Sequence, residues 1–224
     1  MAEILLDSPD NVTLVGGSFA ARRQLRRALA LAPTLVAADG GIAHALACGH
    51  RPVAVIGDMD SLPSDETWRK SDIRVYRLGE QDTTDFEKCL YSIRAPLILG
   101  CGFLGGRVDH ALASLSALLR YADRPVILLG EQDLTFHWRA ELALELAAGT
   151  PVSFFPLRRV TGTGSQGLAW TLAGLTLEPG GRVGTSNAAT GGTVRAAFDG
   201  PGVLATLPLA ALEQAAAALS TPAR

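Results

Sequence analysis

The first 130 residues alternate two textures, and that alternation leaves few folds open. Short apolar runs come at VTLV (12–15), TLVAAD (34–39), VAVIGD (53–58), RVYRL (74–78), PLILG (96–100) and PVILLG (125–130). Most are apolar without a break, as strands covered on both faces are. RVYRL alternates instead, which puts it near a sheet edge. Amphipathic stretches separate the runs. Phe86, Cys89, Leu90 and Ile93 recur at i, i+3, i+4 and i+7, one stripe of a helix. Leu112, Leu115 and Leu119 repeat that spacing and predict a second helix buried along them. Strand and helix in turn predict a doubly wound, mostly parallel α/β sheet.

After Gly130 the pattern shortens. LTFHW (134–138), PVSFFPL (151–157), WTLAGLTL (170–177), TVRAAF (193–198) and GVLATL (202–207) are strand-like and closely punctuated by Gly, Pro, Asn and Thr. This predicts an antiparallel β-sandwich. The Ala-rich stretch 209–219 predicts a short C-terminal helix. The expected organisation is an α/β nucleotide-binding domain over 1–135 and a sandwich domain over 136–224. No internal repeat is visible.

Several function classes drop out. A net charge of −2 offers no basic field for a polyanion, so nucleic acid is not an expected partner. The three cysteines, Cys48, Cys89 and Cys101, form no CxxC pair and read as small buried hydrophobes in a reducing compartment. The N-terminal MAEILLDSPDN has acids where a signal peptide needs basic residues, and no run reaches the roughly 18 apolar residues of a membrane span. The expectation is a soluble, cytoplasmic protein with no membrane partner.

In a doubly wound sheet the loops leaving the carboxyl ends of the strands form the ligand crevice. Here those loops read Asp39-Gly40-Gly41, Gly57-Asp58-Met59-Asp60-Ser61, Gln81-Asp82-Thr83-Thr84-Asp85 and Gly105-Gly106-Arg107-Val108-Asp109-His110. Four of them carry Asp. Carboxylates gathered on one rim repel unless a cation sits among them, and the hard, oxygen-preferring choice is Mg²⁺. Asp58 and Asp60, two apart, face one side if the chain there is extended. Alone that pair reads as an ordinary turn; with Asp39 and Asp85 on the same rim it reads as a metal site. Thr84 and Glu87 form a capping box, and the helix dipole there favours an ionised Asp85. Asp109 fits an N-cap equally well. Lys88 is placed to reach phosphate or to stand as a solvated charge.

Val15-Gly16-Gly17-Ser18 turns backbone N–H groups outward at a helix start, where phosphate binds. Gly100-x-Gly102-x-x-Gly105 matches a dinucleotide fingerprint only formally, since it follows the fifth strand and its acidic partner is misplaced. Arg107 offers a planar fork for phosphate oxygens, or a surface ion pair. Trp170 reads first as core and second as a platform for a cationic ring. Ser186-Asn187 reads as a turn. The four histidines show no metal-binding spacing.

Taken in order, these motifs resemble the thiamine pyrophosphokinase family. The resemblance covers about residues 12 to 207. It rests on Ala-Asp39-Gly-Gly, Gly57-Asp58-Met59-Asp60-Ser61, Asp82-x-Thr84-Asp85-Phe86-x-Lys88, Gly105-Gly106-Arg107-x-Asp109-His110, Pro151-Val-Ser153-x-x-Pro156-Leu, Gly167-Leu-x-Trp170-x-Leu and Ser186-Asn187. It implies transfer of the terminal diphosphate of ATP to thiamine, with release of AMP, by a homodimer whose sites lie between subunits. It implies that Asp39, Asp58, Asp60 and Asp85 form the Mg²⁺ end and that Asp39, Gln81, Thr84, Lys88 and Arg107 serve ATP. Gln81, Asp109, Trp170, Ser186 and Asn187 would serve thiamine. Asp58, Asp60, Asp85, Arg107 and Asp109 would carry catalysis, with either Asp85 or Asp109 taking the alcohol proton. Met59 stands where the family usually has Phe, and Ala188 where Glu is common. Rival readings are a diphosphokinase for another alcohol such as a hydroxymethyl pterin, a dinucleotide-dependent oxidoreductase, and a non-catalytic thiamine-binding protein.

Overall fold

The structure is a computed structural model that describes residues 3–18, 22–62, 68 and 72–220, with the backbone alone at 22 and 23. The chain divides into two compact units, Met1–Glu131 and Gln132–Arg224.

The first unit contains β1 (Leu6–Asp7), β2 (Val12–Val15), α1 (Arg22–Leu31), β3 (Thr34–Ala38), α2 (Gly41–Ala47), β4 (Ala54–Gly57), β5 (Arg74–Arg77), α3 (Asp85–Ser92), β6 (Ile93–Arg94), β7 (Ile98–Cys101), α4 (Val108–Arg120) and β8 (Val126–Leu129). β2 pairs with β3 and β7, β3 with β4, β4 with β5 and β7 with β8, every pair parallel. The strand order is therefore β8-β7-β2-β3-β4-β5. The unbroken apolar runs are the central strands, and β2, β4, β7 and β8 are buried throughout. Leu14, Val36, Ile56, Leu99 and Ile127 form the middle of this core. Burying each such side chain contributes about 1.5–3 kcal/mol. β5 has one neighbour and is mostly exposed, as its alternation predicted.

Two helical details differ from expectation. α3 buries Phe86, Cys89 and Leu90, but it ends at Ser92, and Ile93 opens the short β6. α4 buries Ser114, Ala117 and Leu118 rather than the predicted leucine stripe. Leu112 is 61% exposed. The buried side thus combines the small Ser114 and Ala117 with Leu118, and Leu115 and Leu119 are only half-buried.

The second unit contains β9 (Asp133–His137), β10 (Leu144–Leu146), β11 (Pro151–Pro156), β12 (Val160–Gln166), β13 (Thr176–Leu177), β14 (Gly184–Ala188), β15 (Gly192–Phe198), β16 (Val203–Pro208) and, after one 3₁₀ turn, α5 (Leu212–Ser220). Its strands form antiparallel sheets ordered β14-β11-β16-β9 and β10-β15-β12-β13. An aromatic chain links them: Phe136 to Trp138 at 6.2 Å, Trp138 to Phe154 at 5.2 Å and Phe154 to Phe198 at 6.0 Å between ring centroids. The Trp138 indole N–H donates to the Ala196 carbonyl at 2.8 Å, so its burial leaves no polar atom unpaired. α5 buries Leu212, Ala215, Ala216 and Leu219, a complete helical stripe.

The predicted strand over 170–177 shrinks to Thr176–Leu177. The Gly-rich segment 160–166 forms β12 instead. Gly162 explains why glycine is needed there. A β-carbon would lie 2.0 Å from the Leu172 carbonyl oxygen, which crosses the strand closely.

Candidate active site

The order of the parallel strands reverses at β2, which lies between β3 and β7. This is the topological switch point, where α/β sheets open a crevice. A cavity of about 770 Å³ opens there, and its walls include Gly17 and Ser18 after β2, Asp39 after β3, Asp58 and Asp60 after β4, and Gly102 and Phe103 after β7. Gln81, Thr84, Asp85, Lys88 and Arg107 also line it. The α/β unit thus places eight of the predicted site residues around one cavity. Asp109 is not among the lining residues, although its neighbour His110 is.

Asp39, Asp58 and Asp60 can each direct one carboxylate oxygen to within 4.8 Å of the others. Their backbone geometry is unusual. Asp39 has φ 40° and Met59 has φ 70°, both in the left-handed region that non-glycine residues seldom occupy. The turn at Met59 brings Asp58 and Asp60 together, whereas extended chain was expected there. The Asp60 N–H donates to Asp58 Oδ1 at 3.2 Å and the Ser61 N–H to Asp39 Oδ2 at 3.2 Å. Gly57 forms the floor: a β-carbon on it would stand 2.7 Å from Asp39 Cβ and 3.1 Å from Asp85 Oδ1.

Asp85 begins α3 behind its cap. The Thr84 side chain accepts from the Glu87 N–H at 3.3 Å, and Glu87 Oε2 accepts from the Thr84 N–H at 3.1 Å, which is the predicted capping box. Arg120 holds Glu87 in place with an ion pair of 2.6 Å. Lys88, one turn on, is 2% exposed. Its Nζ lies 3.3 Å from Asp85 Oδ1 and 3.7 Å from Asp58 Oδ2. It is therefore a buried counter-charge beneath the rim rather than a solvated one, and it also lines the cavity.

The carboxylates respond differently to this setting. Burial pushes the Asp39 carboxyl above its ordinary range, and the charges of Asp85, Asp58 and Asp60 add to the effect. Burial likewise raises Asp85, with Asp58 adding to it, against the pull of Lys88. Asp58 also feels burial, but the Asp60 N–H, Lys88 and Gln81 outweigh it and leave its pKa lowered. Asp39 Oδ1 is buried and has no hydrogen-bond partner. A buried oxygen without a donor, facing two further carboxylates, fits a hard divalent cation with oxygen ligands.

Arg107 is not free. Its Nη2 and Nε donate to Asp109 at 2.6 and 3.2 Å, and both residues are exposed. Asp109 also accepts from the His110 N–H at 3.0 Å and sits inside the first turn of α4, so it is not the N-cap. Residue 107 occupies that position without a side-chain cap. Gly102, Gly105 and Gly106 all have positive φ. They bend the loop after β7 around Ser18, and α4 does not begin until Val108, so the stretch is not a dinucleotide-binding turn.

Within the second unit, Trp170 is 63% exposed rather than core. Asn187 is buried and grips the backbone of Trp170: its Oδ1 accepts from the Trp170 N–H at 3.1 Å and its Nδ2 donates to the Trp170 carbonyl at 2.7 Å. Ser186 and Asn187 lie in β14, where a turn was expected. Ser186 has φ 65°, and its N–H donates to Ser153 Oγ at 3.0 Å, beside a register shift in the β11–β14 pairing.

Sequence reasoning passed over Glu80 and Phe103. Glu80 accepts from the N–H groups of Asp82 at 2.9 Å and Thr83 at 3.1 Å, from the Thr83 hydroxyl, and from Tyr91 Oη at 3.0 Å. It shapes the loop that presents Gln81. The visible signal was an acid placed two and three residues before a run of turn formers. Phe103 packs against Phe86, tilted, at 4.5 Å between ring centroids and lies against Gly16. No periodicity marks it.

An α/β unit with acids at its switch point, followed by an antiparallel β unit, defines a two-part protein with a polar, ligand-sized crevice on its sheet. The family model "Thiamin pyrophosphokinase, catalytic domain" matches residues 25–128 and "Thiamin pyrophosphokinase, vitamin B1 binding domain" matches residues 139–201. The two matches together span well over half of the sequence, and the chain belongs to the thiamin pyrophosphokinase family.

Among curated relatives, thiamine pyrophosphokinase 1 of Arabidopsis thaliana is 31% identical over 156 residues, 62% of this chain and 58% of that protein. Thiamine pyrophosphokinase 1 of Oryza sativa subsp. japonica is 30% identical over 168 residues, 67% of this chain and 64% of that one. The chain thus spans 58–64% of the length of these relatives. The crystal structure of thiamin pyrophosphokinase from Geobacillus thermodenitrificans is similar with a TM-score of 0.72 and 26% identity, covering 88% of this chain and 96% of that one. Yeast thiamin pyrophosphokinase shares the fold with a TM-score of 0.72 at 18% identity, covering 96% and 94%. These likenesses favour neither the pterin nor the oxidoreductase reading.

Proposed function

We propose that this chain transfers the β,γ-diphosphate of ATP to the hydroxyethyl arm of thiamine, giving thiamine diphosphate and AMP. The observation that carries the reading is the rim of Asp39, Asp58 and Asp60 around one point of the switch-point cavity, with a buried Asp39 oxygen lacking a partner. Asp39, Asp58, Asp60 and Asp85 would hold Mg²⁺. When bound, Mg²⁺ neutralises phosphoryl charge and orients the diphosphate for in-line displacement.

The chain's own residues supply positioning. The outward loops at Gly17–Ser18 and Gly102 fit a polyphosphate approaching the backbone. Arg107 would exchange Asp109 for phosphate oxygens, a small change for an exposed pair. Gln81, Thr84 and Lys88 border the same space, Lys88 acting through the carboxylates it contacts. Of the two carboxylates that could accept the alcohol proton, Asp85 is among the residues lining the cavity and Asp109 is not. Trp170, with its exposed ring, suits the cationic thiazolium, and Ser186 and Asn187 shape the strand beside it.

This reading makes the first unit the nucleotide part and the second the thiamine part. It includes a homodimer, supported by Val108 and Leu112, which expose apolar side chains (72% and 61%) on α4. The free cysteines suit the cytoplasm, and no helix among the described residues is long and apolar enough to cross a membrane. The test is incubation with ATP, Mg²⁺ and thiamine. Thiamine diphosphate and AMP in equal amounts support the reading; thiamine monophosphate with ADP, or no product, overturns it. A dimer by light scattering that dissociates in Leu112→Glu supports the assembly, and a monomeric parent refutes it.

A further inference from the structure

The second unit carries a cluster that the proposed chemistry does not use. His137 is 7% exposed, and neither of its ring nitrogens has a hydrogen-bond partner. Arg139 Nε is also buried without one. Buried polar atoms are nearly always paired, so three on two residues of one strand end need an explanation. Both residues border a separate cavity of about 340 Å³, a volume suited to a small molecule. Trp138, Phe198 and Pro201 contribute to its wall.

The unpaired atoms define what would fit. Arg139 can only donate. Its Nη2 is engaged with the Leu219 carbonyl at the end of α5, at 3.3 Å. Its Nε lies 3.4 Å from Glu141 Oε1, an ion pair without hydrogen-bond geometry, and the Glu141 side chain is 49% exposed. Burial, with the Arg139 charge beside it, pushes the His137 imidazole pKa down, which keeps the ring neutral near pH 7 with one N–H to give. The other charges nearby are Glu141 and Asp199, and Asp199 Oδ1 already accepts from the Thr161 N–H at 2.8 Å. Two unpaired donor groups, one of them cationic, therefore belong to residues that line a small partly apolar space.

We propose that this cavity is a second binding site, for the oxyanion of a compact carboxylate or phosphate, held by Arg139 Nε and the His137 N–H with its body against Phe198 and Pro201. Glu141 is the internal competitor: it balances the guanidinium in the free protein and swings to solvent when the ligand arrives. The proposal does not depend on the diphosphotransferase reading.

The test is titration of the full chain with benzoate and, separately, inorganic phosphate, followed by the imidazole nitrogen resonances of ¹⁵N-labelled histidine and by calorimetry. A saturable shift of His137 is expected. A response to benzoate alone identifies a carboxylate site, and to phosphate alone a phosphate site. His137→Phe and Arg139→Gln should each weaken binding about tenfold or more, as loss of a charge-assisted or buried hydrogen bond does. Glu141→Gln, a surface change, should tighten it severalfold, and Asp58→Asn should leave it unchanged. No saturable His137 shift with either probe, or affinity unmoved in Glu141→Gln, overturns the site.

Discussion

In the α/β unit Asp39, one of the acids that stood out in the sequence, sits at a strand end, faces a cavity and is incompletely satisfied. Asp39 has strained backbone, an unpaired oxygen and a raised pKa. In the β unit, Asn187, put on the thiamine side by the family resemblance, uses both ends of its amide on the backbone of Trp170. The first arrangement withholds bonds that a ligand can complete; the second spends its bonds on shape. Polar groups therefore divide into those left free to take a ligand and those that hold the fold, and unmet hydrogen-bonding capacity tells them apart.

That contrast can be broken by experiment. The largest effect is expected at Asp58→Asn, which should lower kcat by about a hundredfold or more, as loss of a principal electrostatic contact does. Near-normal AMP release at saturating Mg²⁺ would show that the rim does not hold the metal. Asn187→Ala should act through stability, unfolding the second unit more easily by about 1–3 kcal/mol because the Trp170 backbone loses both partners. Trp170→Ala should do the reverse, leaving the denaturation midpoint unchanged while raising KM for thiamine. If both variants shifted only stability, the thiamine assignment would fall.

A subtler effect concerns pH. A carboxyl whose pKa is raised on folding contributes stability that is full below its unfolded value, near 3.8, and is lost as pH rises through the folded one. Asp39 and Asp85 therefore penalise the metal-free protein at neutral pH. Asp58, whose pKa is lowered, works in the opposite sense and loses its contribution as pH falls through its folded value. Asp39→Asn should raise the metal-free Tm at pH 7, by an amount that vanishes near pH 4. Mg²⁺ should raise the Tm of the parent more than that of the variant. The smallest change is expected at the exposed Arg94–Asp7 pair, 3.1 Å apart, where neutralising either partner should move stability by no more than about 1 kcal/mol.

Much of the α/β unit was legible because buried parallel strands write themselves as unbroken apolar runs, and because a capping box is a local signal. The lower-contrast β unit was harder. β12 is rich in Gly, Thr and Ser and reads as loop, yet its Gly162 lets Leu172 cross it. α4 was read from the spacing of Leu112, Leu115 and Leu119, whereas its buried side is Ser114, Ala117 and Leu118, two of them too small to show in an apolar pattern. At the candidate site the acids were visible as types, but the left-handed turns that aim Asp39 and Asp60 were not, since no glycine marks either position. Glu80 escaped notice because it works through backbone amides.

Lys88 has one further consequence. Dissolved ions screen exposed pairs such as Arg107 and Asp109 over about a Debye length, near 8 Å at physiological ionic strength, but they reach a sealed ammonium poorly. Raising salt should therefore loosen the arginine from its partner while the cation under the rim keeps its hold on Asp85 and Asp58. The acidic pocket is therefore expected to keep its shape in concentrated electrolyte, with the change confined to the exposed arginine pair.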